Sequence, residues 1–179
     1  MSRQQTTFQL QGSAVVVNGG LPPTASHKGN RFFRAVSPAE HPITRQRWLA
    51  RVEITQSKKL GVYLLDEVDP RTALKGFRRF VFSALDYEPT EKRPGLYEII
   101  VNPDRVVIRC SCIASTTAMQ ADRAAPASGN ELDFGAADAK SCKHKDVMQA
   151  LFDAKFFHPE EIVSDGEQTH NRDFHNGGG

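Results

Sequence analysis

The chain has little of what marks several large classes of protein. Its 179 residues include only three cysteines and one tryptophan, and the net charge is +2. No apolar run approaches the roughly 20 residues of a membrane-spanning helix, and residues 1–7 are polar where a secretory signal would be apolar. The low, odd cysteine count argues against a secreted disulfide scaffold. The composition therefore predicts a cytoplasmic protein with no membrane partner.

Motifs of the common catalytic classes are also missing. The sequence has no glycine-rich phosphate loop ending in Lys-Ser or Lys-Thr, and no Gly-x-Ser-x-Gly. Asp66, Glu67 and Asp69 cluster after a predicted strand, but they lack the nearby lysine of magnesium-dependent nucleases, and a charged turn accounts for them better. We therefore expect no enzymatic activity and no small-molecule substrate.

The three cysteines form one pattern with a histidine. Cys110 and Cys112 are followed by Cys142 and His144 at the same spacing, giving Cys-x-Cys…Cys-x-His. Structural zinc sites take four thiolate or imidazole ligands, commonly three cysteines and one histidine. Strand-forming residues precede the first pair, so both thiols would face one side. The second pair opens a predicted helix, whose N-terminus favours a negative zinc–thiolate cluster. These four residues are the predicted Zn²⁺ ligands.

Cysteines in this pattern could also serve a purpose other than zinc binding. They could form a disulfide, a thiol and the imidazole could form a catalytic pair, or the spacing could be accidental. The odd cysteine count and the two further thiols favour the metal over the first two. The histidines His158, His170 and His175 are expected to be exposed to solvent rather than to be ligands.

Hydrophobic periodicity predicts an α+β fold, an antiparallel sheet of about five strands with a C-terminal helix. The expected sheet strands are residues 48–54, 61–65, 77–85, 96–101 and 105–110, with a further N-terminal strand at 8–17, and the helix covers 144–156. Residues 18–42 and 113–141 have the composition of loops, with a short helical turn possible at 119–125. The chain divides into an N-terminal strand and flexible arm (1–42), a sheet with the zinc site (43–158) and an acidic, disordered tail (159–179).

The metal pattern in this setting resembles the SWIM zinc-finger family. In that family a β-hairpin ends in Cys-x-Cys, and after a variable loop Cys-x-His opens a helix. The resemblance covers roughly residues 77–157, but 29 residues (113–141) separate the ligand pairs where a shorter segment is usual. It implies a SWIM-type zinc knuckle. It also implies roles found among SWIM proteins, in transposases, chromatin remodellers, ubiquitin ligases and recombinase-associated complexes.

Positive charge is concentrated in the N-terminal half. Residues 1–80 carry 13 lysines and arginines against 5 acidic residues, whereas residues 120–179 carry 6 against 11. This distribution indicates either a polyanion-binding surface or a solvated sheet face. The candidate nucleic-acid contacts are Arg45, Arg47, Arg51, Lys58, Lys59, Arg78, Arg79, Arg109, Lys143 and Lys145.

Two functions follow as hypotheses. The first is a non-enzymatic accessory factor that binds nucleic acid, with DNA favoured over RNA. The second is a protein-interaction adaptor whose zinc finger and helix form the partner interface. Aromatic residues interleaved with exposed basic residues would favour the first, and an apolar patch on the helix would favour the second.

Overall fold

A computed structural model describes residues 6–23, 29–68, 76–112 and 142–158. These residues form ten strands and one helix. No helix in these ranges has both the length and the apolar character needed to cross a membrane. The elements, in chain order, are β1 (Thr7–Gln11), β2 (Ala14–Gly20), β3 (Arg31–Ser37), β4 (Ala39–Glu40), β5 (Arg47–Trp48), β6 (Ala50–Gln56), β7 (Lys59–Val68), β8 (Arg78–Ala84), β9 (Leu96–Val101), β10 (Val107–Cys110) and α1 (Lys143–Asp153).

Eight of the strands form one antiparallel sheet in the order β1-β2-β3-β6-β7-β8-β9-β10. Sequential strands are neighbours throughout, except that β3 pairs with β6 because β4 and β5 form a separate two-stranded hairpin between them. Strand β6 shows why the sheet has two different faces. Val52 and Ile54 are buried and Arg51 is exposed, since successive side chains on a strand point to opposite sides.

Helix α1 packs on the apolar face of the sheet, where it contacts β9 and β10. It begins after Cys142, whose extended backbone and side-chain acceptor make it the N-cap. Its buried stripe, spaced three to four residues apart, joins core residues of the strands in one cluster. The helical members of this core are Val147, Met148, Leu151 and Phe152.

The α+β class and the C-terminal helix agree with the sequence prediction, but the strand count of about five is too low. Residues 8–17, predicted as one strand, span the β1–β2 hairpin, which turns at Gly12 with φ of 62°. Glycine adopts this left-handed conformation without strain, so the apolar run reverses there.

The predicted loop 18–42 is wrong where β2 continues to Gly20 and where β3 and β4 form. In β3, buried Phe33 and Ala35 alternate with exposed Phe32 and Arg34, a strand pattern that the surrounding glycines and prolines obscure. Residues 48–54 are divided between β5 and β6, and the helix ends at Asp153. The expectations for residues 119–125, for the rest of 113–141 and for 159–179, including His170 and His175, lie outside the described residues.

Candidate metal centre

Strand β10 and helix α1 bring the four expected ligands together. Cys110 is the last residue of β10, and Cys112 follows in a bend just beyond it. Cys142 is the N-cap of α1, and His144 lies in its first turn. The sequence predicted that a continuing strand would align the two N-terminal thiols. Instead the strand stops at Cys110, and the bend directs Cys112 back toward it.

The cluster is compact enough to hold a metal ion. The four ligand atoms all lie within 4.8 Å of one another. The Cys110 Sγ to His144 Nδ1 distance is 3.9 Å. Tetrahedral zinc with its usual bond lengths would place such atoms roughly 3.5–3.8 Å apart, so only a small contraction is needed.

Backbone N–H groups support two of the sulfurs. The amide of Cys112 donates to Cys110 Sγ at 3.4 Å, and the amide of Lys145 donates to Cys142 Sγ at 3.4 Å. Hydrogen bonds of this kind favour a thiolate over a neutral thiol. They also fix the direction in which each sulfur points, as the outer groups around a metal site do.

Burial keeps the cluster neutral when no cation is present. All four side chains are buried. Hydrogen bonds to Cys112 and Cys142, together with burial, raise the pKa of Cys110. For Cys142, the bond with Cys110 lowers the pKa, but the bond with Cys112 and burial outweigh it and raise the pKa to about 11. Burial lowers the pKa of His144. A divalent cation reverses this balance, because it binds thiolates and neutral imidazole.

The imidazole of His144 is enclosed by aromatic rings. Tyr97 stacks on it with ring centres 4.4 Å apart, and Tyr63 and Phe82 contact it at 5.3 and 5.6 Å. Within the described residues, its buried Nε2 has no hydrogen-bond partner. The other nitrogen, Nδ1, is directed at Cys110 Sγ, so it is the ring atom placed to bind a metal. The donor set and this histidine therefore fit a metal.

The disulfide, the catalytic pair and accidental spacing fit these residues less well than a metal does. All three cysteines are free thiols. Residues far apart in the sequence converge in one buried cluster, which accidental spacing would not produce. A catalytic thiol needs access to its substrate, but Cys110 is 0% exposed.

Comparison of the chain with protein-family models, curated proteins and solved structures gives no match.

The ten candidate nucleic-acid contacts do not form one surface. Arg78 lies on the helix side of the sheet, where it donates to both Glu67 carboxylate oxygens, at 2.7 and 2.8 Å. Lys145 is buried, and Lys143 is partly buried against the Tyr63 ring. Three others pair with acidic side chains, namely Arg45 with Glu40, Arg51 with Glu53 and Arg79 with Glu98.

The remaining four candidates are exposed and form no ion pair within the described ranges. They are Arg47 on β5, Lys58 in the β6–β7 turn, Lys59 at the start of β7 and Arg109 on β10. The sequence did not single out Arg34, which is exposed on β3 in the same way. The reason is that its strand, β3, lies within residues 18–42, which the sequence predicted to be a loop.

The sequence also did not identify a buried ion pair that lies beside the candidate metal ligands. Arg31 of β3 is 1% exposed and contacts Asp146, in the first turn of α1, at 2.7 Å. The Arg31 guanidinium also donates to the Pro22 carbonyl at 2.7 Å. The position of Asp146 near a helix N-terminus is a recognisable signal, but nothing in the sequence identifies its partner.

Proposed function

We propose that Cys110, Cys112, Cys142 and His144 bind one Zn²⁺ ion that fastens helix α1 to strand β10. The observation that carries this proposal is the buried cluster of three thiols and one imidazole within 4.8 Å. Soft sulfur and imidazole ligands in a tetrahedral set select zinc over magnesium or calcium, which take oxygen ligands. The ion would bind His144 through Nδ1, the nitrogen that faces Cys110, and stabilise the thiolates.

The role of this zinc is structural rather than catalytic. Catalytic zinc sites keep one position open for water or substrate, whereas four protein ligands fill a tetrahedral site. The closed site supports a SWIM-like zinc protein without enzymatic activity. The order of the ligands, with one pair ending a β-hairpin and the other opening a helix, also supports this family assignment.

The second part of the proposal is that the protein binds nucleic acid as an accessory factor. It is supported by five exposed cations on the strands and in the β6–β7 turn that form no ion pair with the described residues, because such groups are available to neutralise phosphates. The apolar stripe of α1 is buried against the sheet, so the helix offers little for an adaptor interface. The five cations are Arg34, Arg47, Lys58, Lys59 and Arg109.

One observation favours the adaptor hypothesis instead. Ile43, in the turn between β4 and β5, is 84% exposed, and a large apolar side chain in that position can anchor a protein partner. A single exposed side chain is common on protein surfaces, however. Nucleic-acid binding is therefore the better supported of the two functions.

Metal analysis and binding titrations test the proposal. Protein purified without chelator should hold one zinc per chain by native mass spectrometry. Its affinity for a labelled oligonucleotide should fall log-linearly with salt, by about one unit of slope for each phosphate neutralised. Arg109→Gln should lower this slope, whereas Arg45→Gln should not, because Arg45 already pairs with Glu40 at 2.9 Å.

Two results would contradict the proposal separately. Less than about half an equivalent of zinc would refute the metal site. The absence of any binding to single- or double-stranded oligonucleotides at low salt, where electrostatic affinity is greatest, would refute the nucleic-acid function and favour a protein partner.

A further inference from the structure

Strand β3 presents an aromatic ring to solvent on the face of the sheet opposite the helix. Phe33 and Ala35 point into the core and are 3% and 0% exposed, so the alternating Phe32 and Arg34 point away from it. Phe32 is 43% exposed. A large aromatic side chain this exposed gains little from packing, which makes it a candidate for binding a ligand.

The pairing of neighbouring strands forms a depression around this ring. Gly20 of β2 and Thr55 of β6 lie on either side of Phe32, and Asn18 and Glu53 lie on either side of Arg34. Because Gly20 has no side chain, it does not cover the edge of the ring toward β2. The depression has a volume of about 500 Å³ and is lined by all six of these residues. Ligand pockets commonly span roughly 300–1,000 Å³, so it can accommodate one nucleotide.

The charge around the depression is suited to an anion. Arg34 forms no ion pair with any described residue, whereas the Glu53 carboxylate is offset by Arg51 at 3.1 Å. Lys58, in the β6–β7 turn, lies at the same end of the sheet, because Leu60 pairs with Thr55 in the row that contains Phe32. The side chain of Lys59 points to the opposite face, since Lys59 pairs with Gln56 in the row that contains the core-facing Arg31. The exposed Arg34 therefore lies beside the exposed aromatic ring, within the same depression.

We propose that this depression binds one nucleotide of a single-stranded nucleic acid, with the base stacked on Phe32 and the phosphate held by Arg34. The inference rests on the proposed nucleic-acid function and names the site that would carry it. Thr55 and Asn18 supply hydrogen-bonding groups at the edge of the base. Glu53 can accept a hydrogen bond from an exocyclic amino group.

A single strand fits this surface better than a duplex. Bases in a duplex stack on one another and leave no face for a protein ring, whereas unpaired bases stack readily on exposed aromatic side chains. Stacking tolerates any base, because every base has an aromatic face. The site should therefore bind with weak sequence preference and with an affinity that depends on salt.

Fluorescence anisotropy with a short labelled oligodeoxyuridylate, and with the matching oligouridylate, tests the site. Phe32→Ala should weaken binding roughly 5- to 150-fold, as loss of one stacked base does, and Phe32→Trp should retain or strengthen it. Arg34→Gln should lower the salt slope by about one. A difference between the two oligonucleotides would show whether the sugar 2′-hydroxyl is read.

Two further variants separate stacking from general apolar contact. Phe32→Leu keeps an apolar side chain but removes the aromatic face, so it should bind like Phe32→Ala. Leu60→Ala removes the exposed apolar neighbour in the same cross-strand row and should leave the affinity unchanged. Zinc content and thermal unfolding of each variant should match the wild type, since Phe32 lies outside the core.

Three outcomes would overturn the inference. If the wild type binds oligonucleotides but Phe32→Ala binds equally well, the site lies elsewhere and the nucleic-acid function survives. If Phe32→Leu keeps the affinity, or if a duplex of the same length competes as well as the single strand, base stacking is not the basis of binding. If the wild type binds no nucleic acid, the proposed function fails as well, and this face is open to a protein partner.

Discussion

Arg31 donates to Asp146 at 2.7 Å across a separation of 115 residues in the sequence. The pair joins β3 to the first turn of α1, four residues after the ligand Cys142. The other candidate ligand pair lies at the end of β10. This edge strand is separated from β3 by β6, β7, β8 and β9. The N-terminus of the helix therefore contacts two distant strands at once, through an ion pair at one and through the cluster of three thiols and one imidazole at the other.

This arrangement predicts that Asp146→Ala is strongly destabilising. It leaves the guanidinium of Arg31 buried without its partner, and such changes cost about 3–5 kcal/mol. The double variant Arg31→Met with Asp146→Leu should recover much of the loss, because no charge remains buried. Urea denaturation of the zinc-loaded proteins measures both effects.

An exposed ion pair provides the control. Arg51→Met removes the partner of Glu53, but the Arg51 side chain is 47% exposed, and we expect a change below about 1 kcal/mol. If Asp146→Ala also changes the free energy of unfolding by less than about 1 kcal/mol, the ion pair does not fix the helix.

Local patterns in the sequence predict the parts of the structure that depend on near neighbours. Alternation in residues 48–54 locates the core of β6, and helical spacing locates the stripe of α1. The Cys-x-Cys and Cys-x-His pairs predict a four-ligand cluster, because each pair lies beside an element whose type is also predictable. The prediction succeeds for residues whose role is set by local spacing.

Long-range relationships are not predictable in this way. The strand pattern of β3 is short and lies between segments rich in glycine and proline, so its composition resembles that of a loop. Arg78 and Arg79 are equivalent basic residues in the sequence, although adjacent positions on a strand face opposite sides. Which face of the strand the helix covers depends on the register of the whole sheet. That register cannot be predicted from a single sequence.

Replacing a candidate ligand should show whether these side chains bind a metal. We expect His144→Gln and Cys142→Ser to lose most of the zinc and to destabilise the C-terminal half, because structural zinc contributes roughly 10–16 kcal/mol of apparent binding energy in small modules. His158→Gln, which alters a histidine outside the cluster, should retain one equivalent. Metal analysis and thermal unfolding of the three variants provide the measurement. Full zinc content in Cys142→Ser would show that the ligand assignment is wrong.

Zinc binding should release protons and weaken as the pH falls. The pKa of Cys142 is raised to about 11 and that of Cys110 is also raised, so these thiols are protonated at neutral pH and must lose protons to become ligands. His144, whose pKa is lowered, is already neutral and releases none. We expect at least two protons per zinc at neutral pH, one from Cys110 and one from Cys142, and an apparent affinity that rises with pH until these thiols ionise.

Calorimetric titration in buffers with different enthalpies of protonation counts these protons. The zinc-free protein need not be folded for this test, because an unperturbed thiol, with a pKa near 8.5, is also mostly protonated at neutral pH. Release of fewer than about one proton per zinc would mean that thiolates are not the ligands.

The two adjacent arginines of β8 should differ in their effect on stability. Arg78 forms a two-point contact with Glu67 and lies within 5.1–5.8 Å of the ring centres of Phe80, Phe152 and Phe157. Because cation–π contacts and a bidentate pair are lost together, Arg78→Ala should cost about 1–3 kcal/mol. Arg79 pairs with Glu98 on the opposite face and loses no contact with these rings, so Arg79→Ala should cost less than Arg78→Ala.

Urea denaturation of Arg78→Ala and Arg79→Ala, run in parallel, measures how much each arginine contributes to the free energy of unfolding. Each variant removes one positive charge from the same strand, so net charge cannot account for a difference between them. A further variant, Arg78→Lys, keeps the charge but loses the planar two-point contact, and it should restore only part of the stability. If both alanine variants cost the same, or if Arg78→Ala is the milder, Arg78 does not anchor the residues after α1 to the sheet.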